Sequence, residues 1–141
     1  MGLDMYAYVA ARAGQQNEFY EGATWDPELK ESVNPHVERP REIAYWRKHP
    51  NLHGWMAELW MKRGGNELRD TNNFNGIELE LSWDDLDDLE HAVRNRELPK
   101  TSGFFFGNDA DEHYYEQDLE FILMAKAEAF VGLKVFYNSS W

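Results

Sequence analysis

From Leu3 to Arg12 apolar and polar positions alternate, with Leu3, Met5, Ala7 and Val9 in one phase and Asp4, Tyr6, Tyr8 and Ala10 in the other. A period of two matches the pleat of a strand, so the segment is predicted to be a β-strand with one apolar face. The stretch from Gly14 to Arg39 scatters Phe19, Tyr20 and Trp25 among Gly14, Gly22, Pro27 and Pro35 with no sustained period. It predicts a long loop or arm, residues 14–39, with a short hairpin in it. Pro40 suits a first helical turn, and Ile43, Tyr45 and Trp46 then fall on one side of a short helix. Pro50 lacks an N–H and clashes with a preceding turn, which predicts a break at His49 and a second helix from Pro50. That helix carries Leu52, Trp55, Met56, Leu59 and Trp60 at spacings of three and four and stops at Gly64-Gly65.

In the second half Ile77, Leu79 and Leu81 alternate with Glu78 and Glu80, the mark of a half-exposed strand. Ser82-Trp83-Asp84-Asp85 resembles a capping box with Asp in place of Glu or Gln, and it opens a helix whose apolar positions are Leu86, Leu89 and Val93. Its early carboxylates suit the positive end of the helix dipole. Ser102 to Gly107 is a short apolar run between glycines, an inner strand or a tight loop. Asn108 or Asp109 then caps the longest helix, with Tyr115, Leu119, Ile122, Leu123, Ala127 and Phe130 as its buried stripe and Gly132 at its end. Leu133 to Tyr137 supplies a last strand. Together the elements predict one α+β domain over residues 1–141, a mainly antiparallel sheet of about four strands with helices packed on one face. The alternation of strands and helices also leaves a parallel α/β sheet open.

Composition narrows the classes. With 141 residues, 43% of them hydrophobic and 15% aromatic, the chain carries enough large side chains for one core. There are no cysteines, which excludes disulfides, thiolate metal sites and cysteine nucleophiles and fits a reducing compartment. The first residues lack a basic segment followed by an apolar one, and no run approaches the roughly 18 apolar residues of a membrane span, so neither secretion nor a membrane partner is expected. The net charge of −12 is unevenly spread: residues 1–75 hold 11 acidic and 9 basic side chains, residues 76–141 hold 15 and 5. Such a field repels phosphate backbones, so no direct nucleic-acid binding is expected. It also keeps a small protein in solution.

The richest chemistry lies in Tyr45-Trp46-Arg47-Lys48-His49-Pro50-Asn51-Leu52-His53-Gly54-Trp55. Two cations at the end of one helix, free N–H groups at the start of the next and two imidazoles would suit a phosphate or carboxylate. The structural alternative is that Arg47 and Lys48 complement the C-terminus of the first helix and His49 caps the second. His49 and His53 stand four apart, yet Pro50 interrupts the turn and no HExxH glutamate is present, so no metal is expected. The acidic run Asp109 to His113 lacks the alternating ligands of an EF-hand and reads as N-terminal helix charging. Neither a P-loop, a dinucleotide fingerprint nor a nucleophile elbow occurs, and no cofactor is expected.

Four segments, the start Met-Gly-Leu-Asp-Met-Tyr, Glu42-Ile43-Ala44-Tyr45-Trp46-Arg47-Lys48, Ser102-Gly103-Phe104-Phe105-Phe106-Gly107 and Tyr137-Asn138-Ser139-Ser140-Trp141, together resemble a family of small proteins encoded by bacteriophages and prophages. The resemblance implies a phage origin, hence the host cytoplasm as location, and no particular chemistry. It points to Asp4, Tyr6, Trp46, Arg47, Lys48, His53, Trp55, Ser102, Gly103, Gly107, Tyr114 and Trp141. A final indole gains nothing at a frayed end, so Trp141 is expected to be docked. If the first and last strands are neighbours, Asp4 can pair with Arg47.

The first functional expectation is therefore a phage accessory protein without catalytic activity that binds a small anionic ligand or a host protein. Arg47, Lys48 and His53 would lie within an aromatic surround. The second is an enzyme acting on a phosphorylated or nucleotide-like substrate, with His53 as acid or base. The third is an inhibitor whose acidic half imitates nucleic acid.

Overall fold

The computed structural model describes residues 2–64, 74–100 and 110–141. Its central sheet has four antiparallel strands in the order β4-β1-β6-β5, formed by Asp4–Ala10 (β1), Arg41–Arg47 (β4), Leu79–Leu81 (β5) and Lys134–Ser140 (β6). Alternation decides the faces. Met5, Ala7 and Val9 of β1, with Val135 and Tyr137 of β6, point into the main core, whereas Tyr8, Ala10 and Phe136 form a second, smaller cluster on the opposite face.

Three helices cover the core face: Pro50–Lys62 (α2), Trp83–Arg94 (α3) and Ala110–Phe130 (α4). They bury Leu52, Met56, Leu86, Leu89, Phe121 and Ile122 almost completely. Each such side chain removed from water contributes about 2 kcal/mol. Pro50 takes a first-turn position in α2, where its missing N–H costs nothing, and the helix begins after His49 as its sequence predicts. The Ser82 hydroxyl accepts from the Asp85 N–H while the Asp85 carboxylate accepts from the Ser82 N–H, so the Asp-containing capping box does form. Gly132, at φ 100°, turns the chain out of α4.

The structure departs from the sequence reading in three places. Residues 41–47 are not a helix. They form an edge strand whose residues pair with β1, from Asp4 with Arg47 to Val9 with Arg41, and a bulge between Ala7 and Tyr8 leaves Ile43 unpaired. Ile43, Tyr45 and Trp46 are β-branched or aromatic, and pairing with β1 overrides the helical spacing. Proline just before an edge strand sacrifices no ladder bond.

Within residues 14–39 the expected short hairpin forms, Thr24–Asp26 (β2) with Glu31–Val33 (β3), but the chain before it is a short helix, Gln15–Glu21 (α1), rather than a loop. Buried Phe19 and Gln15 anchor α1; the Gln15 side chain accepts from the Ala11 N–H and donates to the Glu38 carbonyl. The bond to Glu38 joins segments distant in sequence, which local periodicity does not show.

The buried stripe of α4 is also rotated. Asp118, Phe121, Ile122 and Ala125 face the core, while Leu123 and Phe130, expected inside, are 71% and 82% exposed. Ala127 is exposed as well, and Tyr115 and Leu119 are half-buried. The helix is apolar on two sides, so spacing alone leaves its phase undetermined.

Candidate functional site

On the core face, the end of β4 and the start of α2 meet α4 around a buried carboxylate. Strand alternation turns Trp46 inward, where its Nε1 donates to Asp118 Oδ1 at 2.8 Å and its ring meets Phe121 edge-on. His49 Nε2 lies 2.8 Å from the other carboxylate oxygen. With Asp118 ionised, that nitrogen carries the proton. Burial raises the Asp118 pKa, while the His49 and Trp46 hydrogen bonds act against the shift. Tyr114 stacks on the His49 ring, its hydroxyl donating to the Arg47 carbonyl at 2.6 Å and accepting from the Arg47 N–H at 3.3 Å. His49 Nδ1 has no hydrogen-bond partner among the described residues, and Asp111 Oδ1 stands 3.9 Å away. His49 is fully buried, so this cluster offers no open surface to a ligand.

The residues singled out in the sequence fall in separate surroundings. Arg47 is exposed and pairs with Asp4 at 3.7 Å, and Asp4 also accepts from the Tyr45 hydroxyl at 2.7 Å. Lys48 is exposed and takes a left-handed backbone conformation, φ 61°, with its N–H donating to the Leu3 carbonyl. His53 is packed between Phe74, Tyr137 and Trp141, with Nδ1 2.7 Å from the Tyr137 hydroxyl. Burial pushes its pKa down to about 4, so the imidazole is neutral at pH 7 and supplies no charge to an anion.

Arg47 and His53 have no partner in common among these contacts. Trp55 packs half-buried against the main core. Trp141 is held through its main chain, whose N–H and carbonyl both bond to the Asn75 side chain at 3.2 Å, while its ring meets His53 edge-on. Ser102, Gly103 and Gly107 lie outside the described residues.

The opposite face of the sheet carries an open cleft of about 590 Å³. Tyr6 and Tyr8 enter it from β1, Gln16 and Tyr20 from α1, and Arg39, Pro40, Arg41 and Glu42 from the start of β4. The bulge in β4 keeps Ile43 against the core while Glu42 pairs with Tyr8. Arg39 is held by neutral partners: one Nη donates to the Tyr20 hydroxyl at 3.0 Å, the other to the Ser32 carbonyl at 2.7 Å, and its guanidinium lies 4.8 Å from the Phe19 ring centre. It makes no ion pair with the described residues, whereas Arg41 pairs with Glu128 at 2.5 Å. Tyr8 forms the floor, its hydroxyl donating to Glu78 at 2.6 Å; burial first, then the neighbouring carboxylate, raises its pKa well above the ordinary tyrosine value.

The chain matches no family model, no curated protein and no solved structure.

Of the cleft residues only Tyr6 belongs to the sequence-based selection. The missed signals are faint but physical. The nominally polar phase of β1 contains two tyrosines, and Arg39-Pro40-Arg41 places two guanidiniums on either side of a proline. Asp118 shares the spacing of Phe121, Ile122 and Ala125 on α4, an acidic residue in phase with apolar ones.

Proposed function

We propose that this protein is a phage accessory protein that binds a small anionic ligand carrying a flat ring, in the cleft between β1, α1 and the start of β4. The observation that carries the reading is Arg39, a guanidinium fixed by two neutral acceptors and an aromatic face, without a carboxylate among the described residues to neutralise it. A guanidinium held in this way loses little freedom on meeting a carboxylate or phosphate. Tyr6 and Tyr20 offer rings and hydroxyls beside it, and the cleft volume falls within the range of small-molecule sites, roughly 300–1,000 Å³. Glu42 at the rim disfavours ligands of high negative charge. The fixed cation and the flat walls thus select for one acidic group attached to a ring.

Thermal unfolding in the presence of nucleoside monophosphates and aromatic carboxylates, with inorganic phosphate as control, tests the proposal. A ligand at a hundred times its Kd stabilises the fold by about 2.7 kcal/mol. The stabilisation should vanish in Arg39→Ala and persist in Arg47→Ala. A panel without effect, or one whose effect survives Arg39→Ala, rejects the cleft as the binding site.

A further inference from the structure

The outer side of α4 is apolar where a surface helix is usually polar. Leu123, Met124, Ala127, Phe130 and Val131 recur at spacings of three and four, and Leu123, Phe130 and Val131 are 71%, 82% and 70% exposed. The opposite side of the same helix is already occupied by the core through Phe121, Ile122 and Ala125. This second stripe stands outside the main core, and contiguous exposed apolar residues mark contact surfaces.

A groove of about 370 Å³ runs beside it toward α3, including Leu119, Leu123, Glu116 and Glu120, with Arg94 and Lys126 also in its wall but paired to Glu90. Another of about 430 Å³ runs toward β4, including Ile43, Met124 and again Glu120. A ridge with a groove on either side is the shape that packs against a helix. Glu116 and Glu120 are exposed and make no ion pair with the described residues.

We infer that this face docks a basic amphipathic helix of another protein, one that sets apolar side chains against Leu123 and Phe130 and Lys or Arg against Glu116 and Glu120. Charge selects the occupant. The net charge of −12, with 15 acidic against 5 basic residues from 76 to 141, repels a second copy of this chain and attracts a cationic partner. Apolar anchors supply affinity and the carboxylates supply orientation, as in other helix-in-groove complexes. The surface lies on the helical layer, whereas the tyrosine cleft opens on the other face of the sheet.

A synthetic helix of about 18 residues with leucines at spacings of three and four and lysines elsewhere is the probe, titrated against the full chain by fluorescence anisotropy, with a scrambled peptide of identical composition as control. The ordered peptide should bind at least about tenfold more tightly than the scrambled one. Leu123→Gln with Phe130→Gln should weaken it by at least about tenfold, and Glu116→Gln with Glu120→Gln by several-fold. Raising the salt from about 50 to about 500 mM should erase only the charge-dependent part. Equal binding of the two peptides, or binding unaffected by Leu123→Gln with Phe130→Gln, overturns the inference. So does sedimentation showing that the chain self-associates through Leu123 and Phe130, which would make a second copy the occupant.

Discussion

The two faces of the sheet hold similar chemical groups in opposite conditions. On the core face, Trp46 and His49 both bond to Asp118 inside the helical layer, and of their polar atoms His49 Nδ1 keeps no hydrogen-bond partner among the described residues. On the other face Arg39, Tyr20 and Tyr6 stand around an open cleft, and the guanidinium uses only neutral acceptors. A buried polar group must find its partner within the fold or cost several kcal/mol. An exposed one can leave bonding capacity to a visitor. A titratable or aromatic residue alone therefore says little about function; whether its capacity is already spent says more.

The comparison breaks most visibly at Asp118. Replacing it with Ala leaves the Trp46 and His49 N–H groups without their acceptor in a dry environment, and urea denaturation should show a loss of about 3–5 kcal/mol. If Asp118→Ala costs no more than a surface substitution, the core-face cluster does not hold the fold together.

His53 sharpens the contrast through pH. Its folded-state pKa, about 4 against an ordinary 6.5, lies below the unfolded value. The associated stability is fully present above pH 6.5 and is lost as pH falls through 4, by about 3 kcal/mol in all. Comparing the pH dependence of unfolding in wild type and His53→Gln isolates this contribution, and the variant should be flatter across that interval. Asp118 has the opposite sign: its raised pKa favours the fold below the ordinary carboxylate range and the benefit fades as pH rises through the folded value.

On the open face Arg39→Ala should cost about 1 kcal/mol or less in unfolding experiments, because water replaces its partners, while removing ligand-induced stabilisation. The smallest effect belongs to Arg47→Ala. Its exposed contact with Asp4 at 3.7 Å should be worth no more than about 0.5 kcal/mol, measured by the same denaturation series.

How much of this was legible in the sequence depends on the distance over which each feature is decided. The alternation in β1, the proline start of α2 and the Ser82–Asp85 cap are local, and all three are found in the fold. Glu42 to Arg47 was misread because its aromatic and β-branched residues fit either a helix or a strand until β1 is beside them. The phase of α4 was misread because Leu123 and Phe130 are as apolar as Phe121 and Ile122, and only contact with the sheet distinguishes inside from outside. Asp4 does meet Arg47, but through the register of β1 with β4, a segment whose spacing predicts a helix, and not through the neighbourhood of the first and last strands. Spacing within the Tyr45–Trp55 stretch did not reveal the setting of His53, which is defined by Tyr137 and Trp141 at the far end of the chain.

The place of β6 between β1 and β5 governs how the molecule must be assembled. Its register with β1, from Asp4 opposite Ser140 to Ala10 opposite Lys134, joins positions more than a hundred residues apart. During synthesis one edge of the first strand waits, unpaired and rich in aromatics, until the ribosome has released the last. Contacts of such long range slow folding and lengthen exposure to wrong partners. A chain cut after Gly132 would lack the strand that joins β1 to β5, leaving two unconnected pieces of sheet.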